Sequence, residues 1–84
     1  MLYHLLLYRS LTRAQRASDT LNRGRIPNQI VRVPLEVSRE GCANGIRLDQ
    51  GYLHRSMSLL RSSGVEPRKV FVTAGDDHFE EVMF

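Results

Sequence analysis

A chain of 84 residues, 42% hydrophobic and 25% charged, excludes a multidomain assembly and a disordered polymer, and leaves room for one modest core. The net charge of +3 hides an asymmetry. All 12 basic residues precede residue 74, whereas Asp76, Asp77, Glu80 and Glu81 follow it. The sequence therefore reads as one basic domain over residues 1–73 and an acidic C-terminal tail over 74–84. Eleven of the basic residues are arginines and only Lys69 is a lysine, which favours forked contacts to carboxylates and oxyanions.

The opening run, residues 1–8, is apolar but too short to cross a bilayer, and it lacks the basic start and small-residue cleavage site of a secretory signal. It predicts a strand over 2–8, in a cytoplasmic protein. Tyr3, Leu5 and Leu7 fall on one face, and Leu2, Leu6 and Tyr8 with His4 on the other. A strand apolar on both faces belongs at the centre of a sheet.

Ser10 then caps a helix over 11–23 whose apolar stripe is Ala14, Ala17 and Leu21. Gly24 suits a left-handed C′ position, and Pro27 stops the helix. Residues 29–35 alternate, with Val31, Val33 and Leu35 on one face. Pro34 cannot donate to a ladder, so this strand belongs at an edge. A polar connection leads to a strand over 45–48. Asp49 is the expected cap of a second helix over 50–63, which presents Leu53, Met57 and Leu60. Gly64 ends it, Pro67 follows, and Val70, Phe71 and Val72 make a last strand over 69–73.

The order βαββαβ predicts an α+β, ferredoxin-like two-layer sandwich: a four-stranded antiparallel sheet with two helices on one face. Strands 2–8 and 45–48 are then central, and strands 29–35 and 69–73 are edges. Such a sheet leaves one face open, yet strands 2–8 and 69–73 are apolar on both. A cover is expected, either the tail with Phe79, Val82, Met83 and Phe84 or a second subunit in a homodimer.

Cys42 is the one strong nucleophile. It stands between Gly41 and Gly45, with Arg39 and Arg47 near it in sequence. Guanidinium groups and free backbone N–H groups favour the reactive thiolate. The alternative is a small, semi-buried hydrophobe at the start of a strand. As the sole cysteine it forms no internal disulfide, which fits a reducing compartment. His4, His54 and His78 have no metal-ligand spacing, so no metal site is expected. No G-x-S-x-G elbow, Walker A loop or dinucleotide fingerprint is present, so no cofactor is expected either. Without an RNP1-like run, nucleic-acid binding is not expected.

The layout resembles a selenium/sulfur carrier protein-like family of small bacterial domains. The residues that carry the resemblance begin with the serine-started helix (Ser10, Ala14, Ala17) and Val31-Arg32-Val33-Pro34-Leu35. They continue through Gly41-Cys42-Ala43-Asn44-Gly45-Ile46-Arg47-Leu48, and the resemblance spans residues 3 to 73. Where that family has glycine directly after the cysteine, this chain has Ala43. The resemblance implies a carrier that holds sulfur or selenium on Cys42 as a persulfide or selenosulfide. Arg39 and Arg47 would be thiolate-stabilising or anion-binding neighbours, and partner enzymes would load and unload the thiol. A carrier or binding module is thus expected rather than an enzyme. The rival is a non-catalytic interaction or ligand-sensing domain that dimerises through its open sheet face.

Overall fold

A computed structural model describes residues 2–34, 44–75 and 78–83. The elements run β1 (Tyr3–Tyr8), α1 (Leu11–Arg23), β2 (Gln29–Arg32), β3 (Asn44–Asp49), α2 (Leu53–Ser62), β4 (Lys69–Thr73) and β5 (Phe79–Val82). The five strands form one antiparallel sheet in the order β2-β3-β1-β4-β5. The first four strands follow the ferredoxin-like order.

β1 is the pin of the molecule. Tyr3 pairs with Asp49 and Thr73 at one end, and Tyr8 pairs with Asn44 at the other. Leu5 to Tyr8 are all buried, as a strand apolar on both faces requires. Leu6 and Tyr8 point into the main core with Ile46, Leu48 and Val70, beneath Ala14, Ala17 and Leu21 of α1 and Leu53, Met57 and Leu60 of α2. The Tyr8 hydroxyl donates to the Val65 carbonyl at 2.6 Å, so its polar atom is satisfied inside that core.

α1 starts where the sequence indicates: the Ser10 hydroxyl accepts from the Arg13 N–H at 3.2 Å. Its end differs from expectation. Gly24 has φ −83°, and the left-handed residue is Arg25 at φ 58°. The helices approach closely at Gly24, where a Cβ would lie 2.5 Å from Leu59 Cδ1 on α2 and that side chain would have to shift. Arg55 of α2 also donates to the Gly24 carbonyl at 3.0 Å, closing the end of α1. The following turn is held by Asn28, which accepts from Ser18 at 2.6 Å and donates to Asn22 at 2.8 Å and to the Ile26 carbonyl at 2.9 Å.

Three further expectations are corrected. Asp49 does not cap α2: it pairs with Tyr3 as the last residue of β3, and its carbonyl accepts from Tyr52 N–H at 3.3 Å. A turn with Gly51 at φ 104° then delays the helix to Leu53. The strand predicted over 29–35 ends at Arg32, short of Pro34. The predicted four-stranded sheet has five strands, because Phe79–Val82, expected as part of an acidic tail, pairs with β4 and takes its place at the edge.

The open face is closed from within the chain. Leu5 and Leu7 are 3% and 1% exposed, and they pack with buried Val33 and partly buried Val31, Phe71 and Phe79. After β2 the chain brings Val33 over Gly45, where a Cβ would lie 2.7 Å from Val33 Cγ2 and 3.0 Å from the Leu6 carbonyl oxygen. Only glycine lets this strand pass beneath Val33. Among the described residues of the tail, Phe79–Val82 extends the sheet and Phe79 adds to this face.

Candidate functional site

Of the three residues singled out from the sequence, the structure describes one. Cys42 and Arg39 lie outside the described residues. Cys42 precedes Asn44, the first residue of β3, by two positions, and Asn44 pairs with Tyr8 and Arg32. The segment bearing the thiol thus joins β3 at the Tyr8 end of the sheet.

Arg47 sits three residues further along β3, about 10 Å from Asn44 at the usual strand rise. It is exposed on the face opposite the helices, and its guanidinium carbon lies 4.1 Å from the centroid of the Tyr3 ring. A cation over an aromatic face gains roughly 0.5–1 kcal/mol at an exposed site. Tyr3 is 44 residues away in the chain, so no local pattern marks it as a partner. The register supplies it: Asp49 opposes Tyr3, and Arg47 lies two residues back on the same face. Arg47 also joins Pro27, Asn28, Gln29 and Asp49 in lining a cavity of about 340 Å³ open to solvent. The Arg47 guanidinium is thereby a presented cation with one side held by an aromatic ring, suited to a carboxylate or other anion.

The neighbouring His4 is of another kind. Next to Tyr3 on β1 it faces the helix side, opposite Leu48 and Val72. Its Nδ1 is buried without a hydrogen-bond partner, and desolvation lowers its pKa below the ordinary 6.5. This histidine is kept neutral by its surroundings. His54 lies on α2, and His78 lies beside Glu80 at 3.6 Å, both exposed. No three His, Cys, Asp or Glu side chains among the described residues gather as metal ligands. Among the same residues, no helix is long and apolar enough to cross a membrane.

A family model described as "Putative Se/S carrier protein-like" matches residues 3–72, the span from β1 to β4. No curated protein and no solved structure matches the chain.

Proposed function

The chain belongs to the Se/S carrier protein-like family, and on that premise we propose that it carries a sulfur or selenium atom on Cys42 between partner enzymes. The observation that carries the reading is that the only cysteine in the chain falls inside the matched span. In loading, the Cys42 thiolate attacks the outer sulfur of a donor enzyme's persulfide. The donor's S–S bond breaks, the donor leaves as a thiolate, and Cys42 holds the persulfide. An acceptor nucleophile reverses this, taking the outer sulfur and releasing the Cys42 thiolate. No net oxidant is consumed, since a persulfide is exchanged for a thiolate in each step.

Arg39, three residues before Cys42, is the thiolate-stabilising neighbour in this reading. Arg47, set about 10 Å along β3 and seated on Tyr3, is an anion-binding residue for the partner. A carrier thiol of this kind works in a reducing compartment, which suits the cytoplasm.

The rival reading, a binding module that dimerises through its open face, rested on that face being bare. Leu5 and Leu7 are buried within one chain, so the motive for a homodimer is weak. Sedimentation is expected to return a single species of monomer mass.

Incubation with a cysteine desulfurase and cysteine tests the carrier. Intact-mass measurement is expected to show a gain of one sulfur atom in the wild type and none in Cys42→Ser. An unmodified wild-type chain whose thiol is fully alkylated by iodoacetamide would sink the reading.

A further inference from the structure

β5 is held to the sheet by one ladder and two half-buried side chains. It pairs with β4 alone, from Val70↔Val82 to Thr73↔Phe79. None of its four residues is buried: Phe79 and Val82 are partly covered, and Glu80 and Glu81 are exposed. Phe79 packs beside Leu5 and Leu7 on one face, and Val82 packs against the main core on the other. The fit on the helix side is incomplete. A cavity of about 150 Å³ is lined by Met57 and Arg61 of α2 and by Glu81 and Val82 of β5.

The strand beneath it has another standing. β4 reaches into the matched family span, which ends at residue 72, whereas β5 lies wholly outside that span. Without β5, β4 would present Val70, Phe71 and Val72 beside a row of unpaired backbone N–H and C=O groups. An extended chain adds to an edge of that kind. The far edge is poorly suited, because β2 has four residues and lies between Pro27 and Pro34, neither of which can donate.

The segment seated on the β4 edge shows what the edge accepts. Phe79 and Val82 supply an apolar anchor at each end, one to each face, with Glu80 and Glu81 between them. Glu81 stands in the cavity wall with Arg68 and Lys69, while Arg61 of the same wall pairs with Glu66 at 3.4 Å. The preference for acid is thus read from the residue accepted there and not from a count of charges.

We propose that the outer edge of β4 is a docking edge for an extended segment of a partner protein, that β5 fills this edge in cis, and that the partner's segment displaces it. The segment that fits has an apolar residue, two acidic residues and an apolar residue in succession, and runs antiparallel to β4. Backbone hydrogen bonds to β4 supply the attachment, and the apolar ends supply the selectivity. β5 sets a threshold, since a partner must outcompete a strand joined to the same chain. The docking makes no use of Cys42.

Amide NMR of the full chain tests it. Amides 79–82 are expected to exchange with solvent about a hundredfold faster than amides 5–7 of β1, through local opening. An end-blocked peptide with the sequence of residues 78–83 is then titrated, to about 1 mM, into the wild type and into full-length Phe79→Ser/Val82→Ser, which lacks both anchors. Saturable shifts are expected at residues 69–73, with binding about tenfold tighter in the variant. The Glu80→Lys/Glu81→Lys peptide should give none. Wild-type exchange of 79–82 at the rate of 5–7 overturns the proposal, since β5 then leaves only on global unfolding. A variant with protected β1 amides and no saturable shifts also overturns it, as does equal binding of the lysine peptide. Shifts confined to 79–82 would put the peptide outside β5 and refute displacement. A variant that sediments as a dimer would put a second copy on the edge and refute a separate partner. If the variant does not fold, the wild-type exchange rates and the wild-type titration decide.

Discussion

The two ends of β1 handle charge in opposite ways. At the Tyr3 end an exposed guanidinium of the sheet face, Arg47, rests on an aromatic ring, and the titratable group next to that ring in sequence, His4, has its pKa lowered by burial. At the Tyr8 end Arg9, Arg13 and Arg68 line a cavity together with Tyr8 and Glu66, and Glu66 lies 3.4 Å from Arg61 Nε. The same short strand thus separates an end where a guanidinium rests on a ring from one where three arginines line a wall with Tyr8 and Glu66. Cys42 precedes Asn44, the first residue of β3 at the second end, by two positions in the sequence.

The largest effect should come from removing what both ends share. Leu6 is fully buried between Ile46 and Val70, and Leu6→Ala is expected to cost about 2–5 kcal/mol in urea unfolding. A loss well under that range would mean that β1 is not the common pin.

Tyr8→Phe acts on the Tyr8 end alone. It orphans the buried Val65 carbonyl, at a cost of about 1–3 kcal/mol. The sign of its pH dependence follows from the raised phenol. The folded chain holds that proton more tightly than the unfolded one, so the contribution is complete below the unfolded value of 10.0 and is lost as pH rises above it. The alkaline loss should be smaller in Tyr8→Phe, and equal slopes in the two proteins would refute the assignment.

His4 tests the Tyr3 end with the opposite sign. Its folded pKa is depressed, so its contribution is present above the unfolded 6.5 and declines as pH falls below it. Unfolding between about pH 7 and 5 should show this decline in the wild type and a shallower one in His4→Phe. Smallest of all, Arg47→Gln should lower stability by no more than about 1 kcal/mol, because a cation over an exposed ring is worth little more. A greater loss would show that the Tyr3 end depends on its charge.

The elements whose residues act locally were legible in the sequence. Ser10 needs only the N–H of Arg13 to cap α1, and a both-faced apolar run marks β1 wherever it is placed. What was missed depends on contacts far apart in the chain. Asp49 looked like a cap until pairing with Tyr3 claimed it for β3, and Gly24 answers to Leu59 on another helix. In β5, Phe79 and Glu81 share one face and Glu80 and Val82 the other, so neither face is wholly apolar and no alternation shows. Only β4 beside it makes that segment a strand. The cavity at the Tyr8 end was hidden for the same reason, since Arg9 and Arg13 come near Arg68 only once β4 and the connection before it pair with β1. The candidate thiol was legible as a residue type and a position, because nucleophilicity is a property of the side chain itself.

The proposed role of Cys42 as a sulfur or selenium carrier needs a thiolate, and the titration of Cys42 tests that most directly. Alkylation rates by iodoacetamide, followed against pH, report the thiolate fraction. A midpoint below the ordinary value of about 8.5 is expected. A midpoint at or above that value would contradict it.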